Sequence, residues 1–68
     1  MTKAEAVKEA RRRWGASGTA YRRYVELING SILITCYVGI TERHRTIRRG
    51  EGATFDDAFA NASKKAQP

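Results

Sequence analysis

From Tyr21 to Val38 apolar residues fall on every second position with one exception, Arg23, and a break at Asn29-Gly30. A period of two marks a half-buried strand. Asn-Gly between β-branched and aromatic runs is the strongest short-range hairpin signal, because a type I′ turn needs φ > 0 at both central residues. The pattern therefore predicts a hairpin over residues 19–40. A two-residue turn sets Ile28 opposite Ser31, Leu27 opposite Ile32, Val25 opposite Ile34 and Tyr21 opposite Val38. One face then carries Tyr21, Val25, Leu27, Ile32, Ile34, Cys36 and Val38, the expected core side. Arg23 is the misfit on that face; near the open end its stem can pack while its head reaches water. The other face carries Arg22, Tyr24, Glu26, Leu33, Thr35 and Tyr37.

The period changes on either side of the hairpin. Residues 2–14 read as a helix, with Val7, Ala10 and Trp14 at helical spacing with Ala6. Thr2-Lys3-Ala4-Glu5 has the form of a capping box, and Gly15 is a natural C-terminal stop. Thr41-Glu42-Arg43-His44 reads as a second turn. Arg45-Thr46-Ile47-Arg48-Arg49 is a charged third strand with Ile47 as its core candidate, and such a strand belongs at an edge. After the Gly50-Glu51-Gly52 turn, Thr54 caps a last helix over residues 55–65. Phe55, Ala58, Phe59, Ala62 and Ala66 share one face of it, with Asp56 and Asp57 in its first turn and Lys64 and Lys65 in its last. The order α-β-β-β-α predicts a single two-layer α+β domain over residues 1–68. Its three-stranded antiparallel sheet should carry both helices on one face.

Sixty-eight residues bury only about 60% of their unfolded surface, so the core is small. One cysteine excludes an internal disulfide framework. Cys36 on the apolar face reads as a small buried hydrophobe, and a lone thiol suits the reducing cytoplasm. No apolar run is long enough to span a bilayer, so no membrane role is expected.

Charge adds more. Thirteen Lys and Arg oppose seven Asp and Glu, for a net charge of +6. The excess lies in the middle: residues 11–49 hold nine arginines against Glu26 and Glu42. Such a stretch suits a polyanion or an acidic protein face. A solvated surface accounts for the same charge, and Arg11, Arg12 and Arg13 also suit the dipole at a helix C-terminus.

The sequence argues against catalysis. His44, the one histidine, lies in a turn, away from a core-facing Cys36, and one Cys with one His cannot build a zinc site. Asp56 and Asp57 diverge as neighbours on a helix. Gly50-Glu51-Gly52 lacks the spacing and the Lys-Ser/Thr of a P-loop. Neither an enzyme nor a cofactor is expected.

The element order and length, with Gly50-x-Gly52-x-Thr54 running into an Ala-rich helix, resemble a double-stranded-RNA-binding domain. The resemblance implies the α-β-β-β-α fold. That family places lysines at the start of its second helix, where this chain has Asp56 and Asp57. It also uses a longer first hairpin loop than Asn29-Gly30. A second set of motifs resembles small phage and prophage accessory proteins of unknown function. These are Ala10-Arg11-Arg12-Arg13-Trp14-Gly15, Tyr37-Val38-Gly39 and Gly50-Glu51-Gly52-Ala53-Thr54-Phe55 with Ala58-Phe59.

Two functions follow as expectations. The first is nucleic-acid binding, to DNA or RNA, on the outer sheet face. Arg22, Tyr24 and Tyr37 share that face, Thr46 and Arg48 join it, and Arg43, Arg45 and Arg49 extend the positive field along the edge. Arg11 and Arg12 add to that field from the first helix. Tyrosines between arginines can stack bases and hold phosphates, although cross-strand pairs also stabilise an exposed sheet on their own. The second is protein binding, as a phage-type module or inhibitor engaging an acidic protein surface, with Leu33 between Tyr24 and Tyr37. As an edge, the first strand can also pair across a two-fold axis into a homodimer.

Overall fold

A computed structural model describes residues 1–65. Ala66, expected on the core face of the last helix, lies outside the described residues. The elements are α1 (Lys3–Trp14), β1 (Gly18–Glu26), β2 (Ile32–Glu42), β3 (Arg45–Gly52) and α2 (Phe55–Lys65). The strands form an antiparallel sheet in the order β1-β2-β3, with both helices on one face. This is the expected two-layer α+β architecture.

Both helix starts follow from their caps. The Thr2 amide donates to Glu5 Oε1 at 2.8 Å, and the Glu5 amide donates to Thr2 Oγ1 at 3.2 Å, closing the capping box. Thr54 Oγ1 accepts from the Asp57 amide at 3.1 Å. From α1 the core takes Ala6 and Ala10, with Val7 and Trp14 packed against it. From the sheet it takes Ala20, Cys36 and Val38, and from α2 Phe55, Ala58, Phe59 and Ala62. Trp14 stacks on Phe59 with ring centroids 5.9 Å apart. Alanines dominate, so the helices lie close to the sheet. At Gly50 a side chain would run into the Ala58 carbonyl and come within 2.8 Å of the Ala62 amide nitrogen.

The first hairpin departs from the expected register by one residue. Glu26 pairs with Ile32, Val25 with Leu33, Arg22 with Cys36 and Tyr21 with Tyr37. The cause is the loop. Leu27 N–H donates to Ser31 O at 2.7 Å, and Gly30, at φ 84°, donates to Leu27 O at 2.9 Å. Ile28, Asn29 and Gly30 thus form a three-residue loop with one glycine in the left-handed region, the next most common hairpin solution after the two-residue turn. One residue of shift turns β1 over while β2 keeps its faces. Ala20, Arg22, Tyr24 and Glu26 therefore lie on the helix side with Ile32, Ile34, Cys36 and Val38. Tyr21, Arg23, Val25 and Leu27 lie on the open side with Leu33, Thr35 and Tyr37. The shift puts Ala20, small enough to pass beneath α1, opposite Val38, where Tyr21 was expected.

Residues 22–34 are exposed throughout, so the hairpin extends past the helices as a two-stranded arm. The arm is apolar on both faces: Tyr24, Ile32 and Ile34 on one, Val25, Leu27 and Leu33 on the other, and a fully exposed Ile28 at the tip. At the other end β3 runs on to Gly52, and a bulge at Val38/Gly39 inserts Arg49 between Arg48 and Gly50. Ile47, the expected core residue of β3, is 40% exposed, because the helices stop short of its pairing with Ile40.

Candidate nucleic-acid interface

The open sheet face carries a built cluster at its centre. Tyr21 and Tyr37, opposite each other in the ladder, stack with ring centroids 5.0 Å apart. Arg48 reaches across from β3. Its guanidinium lies 4.3 Å from the centre of the Tyr37 ring, and its Nε–H donates to the Tyr21 hydroxyl at 2.9 Å. Gly39, opposite Arg48, adds no side chain to the path. The hydrogen bond to Tyr21 raises the Arg48 pKa above its already high ordinary value. Among the described residues the two η nitrogens of Arg48 make no hydrogen bond. Arg23 lies on the same face, two residues from Tyr21. Glu51, opposite Tyr37, is the one acid beside the cluster.

The β2–β3 turn adds a second basic group. Glu42 pairs with Arg45, which leaves Arg43 and His44 as a two-residue loop with φ of 50° and 65°. The tight turn foreseen at Asn29-Gly30 is thus made here, by two residues that pay for the left-handed region with steric strain. Arg43 and Arg45 line a shallow hollow beside it with Glu42 and Ile47.

Of the residues expected at an interface, Tyr37 and Arg48 come together and Arg43 and Arg45 follow at the end of the same hairpin. The others are elsewhere. Arg22 is opposite Cys36, not Tyr37, and its guanidinium lies 4.8 Å from the centre of the Phe55 ring on the helix side. Tyr24 is exposed on the arm, also on the helix side. Arg49, displaced by the bulge, lies 5.9 Å from the Trp14 ring. Arg11 is exposed on α1. Arg12 is committed to Glu9, which accepts from its Nε and, at 2.9 Å, from its Nη2. Arg13 also donates to Glu9, at 3.3 Å, and its guanidinium covers Phe59. The hydrogen bonds from these two arginines, Arg12's first, hold the Glu9 carboxyl down at about 2.

Tyr21 and Arg23 belong to the open face, although period-two reading assigned both to the core. Arginine placement does not separate the two registers, since each sets an arginine opposite Cys36, Arg23 in one and Arg22 in the other; what differs is Ala20 in place of Tyr21 opposite Val38. The arrangement also changes the chemistry. Tyr37 is 7% exposed, with its ring already covered, so it presents no open face for a base. It serves instead as a platform for a guanidinium. Arg11, Arg22, Arg23, Arg43, Arg45, Arg48 and Arg49 make no ion pair among the described residues. Among those residues no three Cys, His, Asp or Glu side chains converge as metal ligands, and no helix is long and apolar enough to cross a membrane.

Compared with known families, curated proteins and solved structures, the chain finds no match.

Proposed function

We propose that the protein is a small basic, non-enzymatic binding domain that grips nucleic acid by its phosphates on the open sheet face. The observation that carries this reading is the Arg48 fork. Tyr21 takes its Nε–H and Tyr37 supports its plane, so the outer nitrogens are held ready for a planar, two-point contact with a phosphate. Arg23 on the same face continues the field, and Arg43 and Arg45 add positive charge at the β2–β3 turn, with Arg45 on the opposite face of the sheet. The strained turn supports it further, since the chain keeps basic residues where Asn-Gly would fit without strain. The reading differs from what the likeness to double-stranded-RNA-binding domains implies: the start of α2 holds Asp56 and Asp57, and contact falls on the open face. A reducing cytoplasm suits this role, with Cys36 buried as a thiol.

The test is an anisotropy titration with labelled single- and double-stranded DNA and RNA at low and physiological salt. Micromolar binding that survives physiological salt is expected. Arg23→Ala with Arg48→Ala should weaken it similarly across sequences. The log–log salt slope should fall by roughly 1.4–1.8, as for two lost phosphate contacts. Unchanged affinity in the double variant excludes this face. A second reading, a phage-type protein-interaction module or inhibitor of a host enzyme or defence complex, is favoured by the exposed apolar arm.

A further inference from the structure

The sheet has two edges, and they are protected unequally. The β3 edge carries charges and a bulge, and Asn61 of α2 donates its side-chain amide to Glu51 O at 2.7 Å. These are ordinary devices against strand addition. The β1 edge has no bulge, and the charges it carries, Arg22, Arg23 and Glu26, are of both signs. It contains no proline, and its pairing to β2 is regular from Gly18 to Glu26.

The hydrogen bonds at its two ends show which groups are free. Leu27 N–H donates into the hairpin loop, and Ser17 O accepts from Thr41 N–H at 2.8 Å. Both are odd-numbered residues. In an antiparallel ladder residues alternate between bonding inward and outward. Arg22, Tyr24 and Glu26 therefore turn their N–H and C=O groups to the open edge. All three also share one face of the arm.

We infer that β1 pairs antiparallel with β1 of a second copy of this chain, about a two-fold axis at Tyr24. In that register Tyr24 lies opposite the partner's Tyr24, forming a two-ring pair on the axis. Arg22 lies opposite the partner's Glu26, and Glu26 opposite the partner's Arg22. The edge is thus self-complementary in hydrogen bonds and in charge, as an isologous interface requires. Glu26 is the one acid of the arm, and this pairing supplies it with a partner. The antiparallel sense also carries each arm tip beside the partner's Ala20, the part of β1 that α1 covers. This inference does not rest on nucleic-acid binding.

Sedimentation velocity on the full chain, without nucleic acid, tests it over a range from below one to several hundred micromolar. A concentration-dependent monomer–dimer equilibrium is expected. Tyr24→Pro removes an N–H that points away from β2, so it blocks the edge and spares the internal ladder. It should raise the dimer dissociation constant at least tenfold with an unchanged far-UV spectrum. Should that variant fail to fold, Tyr24→Cys decides. Directly opposed residues in a hydrogen-bonded antiparallel pair have Cα atoms about 5.5 Å apart, within disulfide reach. Mild oxidation should link the Tyr24→Cys chain into a dimer, while Leu33→Cys stays largely unlinked. A wild-type chain that remains monomeric throughout overturns the inference and leaves the arm to a different protein. A dimer that Tyr24→Pro leaves intact, or that Tyr24→Cys fails to link, overturns it as well.

Discussion

Gly50→Ala puts the closeness of helix and sheet to a quantitative test. A methyl at this position would strike the Ala58 carbonyl oxygen and lie 2.8 Å from both the Ala62 amide nitrogen and its Cβ, against 3.4 Å or more for ordinary contact. Helix α2 would have to retreat by more than half an ångström, drawing Phe55 and Phe59 out of their places. Overpacking of this kind costs about 1–3 kcal/mol, and collision with backbone favours the upper end. The loss of glycine entropy in the unfolded chain returns roughly 0.5 kcal/mol. The net cost is about 1.5–2.5 kcal/mol, from a total of roughly 3–10 kcal/mol for a chain this size. With a urea slope near 1 kcal/mol per molar, the midpoint should fall by about 1.5–2.5 M. Fluorescence of Trp14, the one tryptophan, follows the transition because its ring stacks on Phe59. Gly30→Ala is the comparison: open space surrounds that position, and the cost is left-handed strain alone, about 1–2 kcal/mol. A Gly50→Ala midpoint no lower than that of Gly30→Ala would refute the close approach of α2 to β3.

Three other changes probe the remaining elements. Phe59→Ala should destabilise by about 3–5 kcal/mol, read as a lost or strongly shifted urea transition, because the ring is 3% exposed and held between Trp14 and Arg13. His44→Gly should stabilise by about 1 kcal/mol and raise Tm by roughly 4–8 °C, since it relieves a left-handed residue in the β2–β3 turn. Glu9 gives a pH signature. Its folded pKa of about 2 lies below the ordinary 4.5, so its contribution is complete above 4.5 and is lost as pH falls through 2. The gap in urea midpoint between wild type and Glu9→Gln should close over that interval, and a constant gap would count against the Arg12–Glu9–Arg13 group.

Much of the fold was legible because caps and periodicity agreed. Thr2 to Glu5, Gly15, Thr54 and the Phe55-Ala58-Phe59-Ala62 stripe each bound an element from two directions. The hairpin was legible as a hairpin but not in register. Asn29-Gly30 satisfies both a two-residue and a three-residue loop, and the choice is made by what α1 can cover, a tertiary matter. That single residue of shift moved Arg22 and Tyr24 off the open face and brought Tyr21 and Arg23 onto it. At the site, Arg48 was placed correctly because β3 pairs with β2, whose faces do not change. Its hold on Tyr21 spans 27 positions and crosses the middle strand, so no local pattern announces it. The bulge that carries Arg49 away is equally silent in the sequence.

The alanines and glycines between helices and sheet have a calorimetric consequence. Methyl groups against backbone bring many peptide groups out of water for each unit of apolar area. Exposing apolar surface raises the heat capacity of unfolding, whereas exposing polar surface lowers it. An average chain of this length would show about 0.8–1.0 kcal/mol/K. This one should fall below that range, because its largest apolar side chains outside the core, those of the arm, are in water before unfolding begins. Its stability curve is then shallow: modest at its best temperature, and nearly constant for tens of degrees to either side.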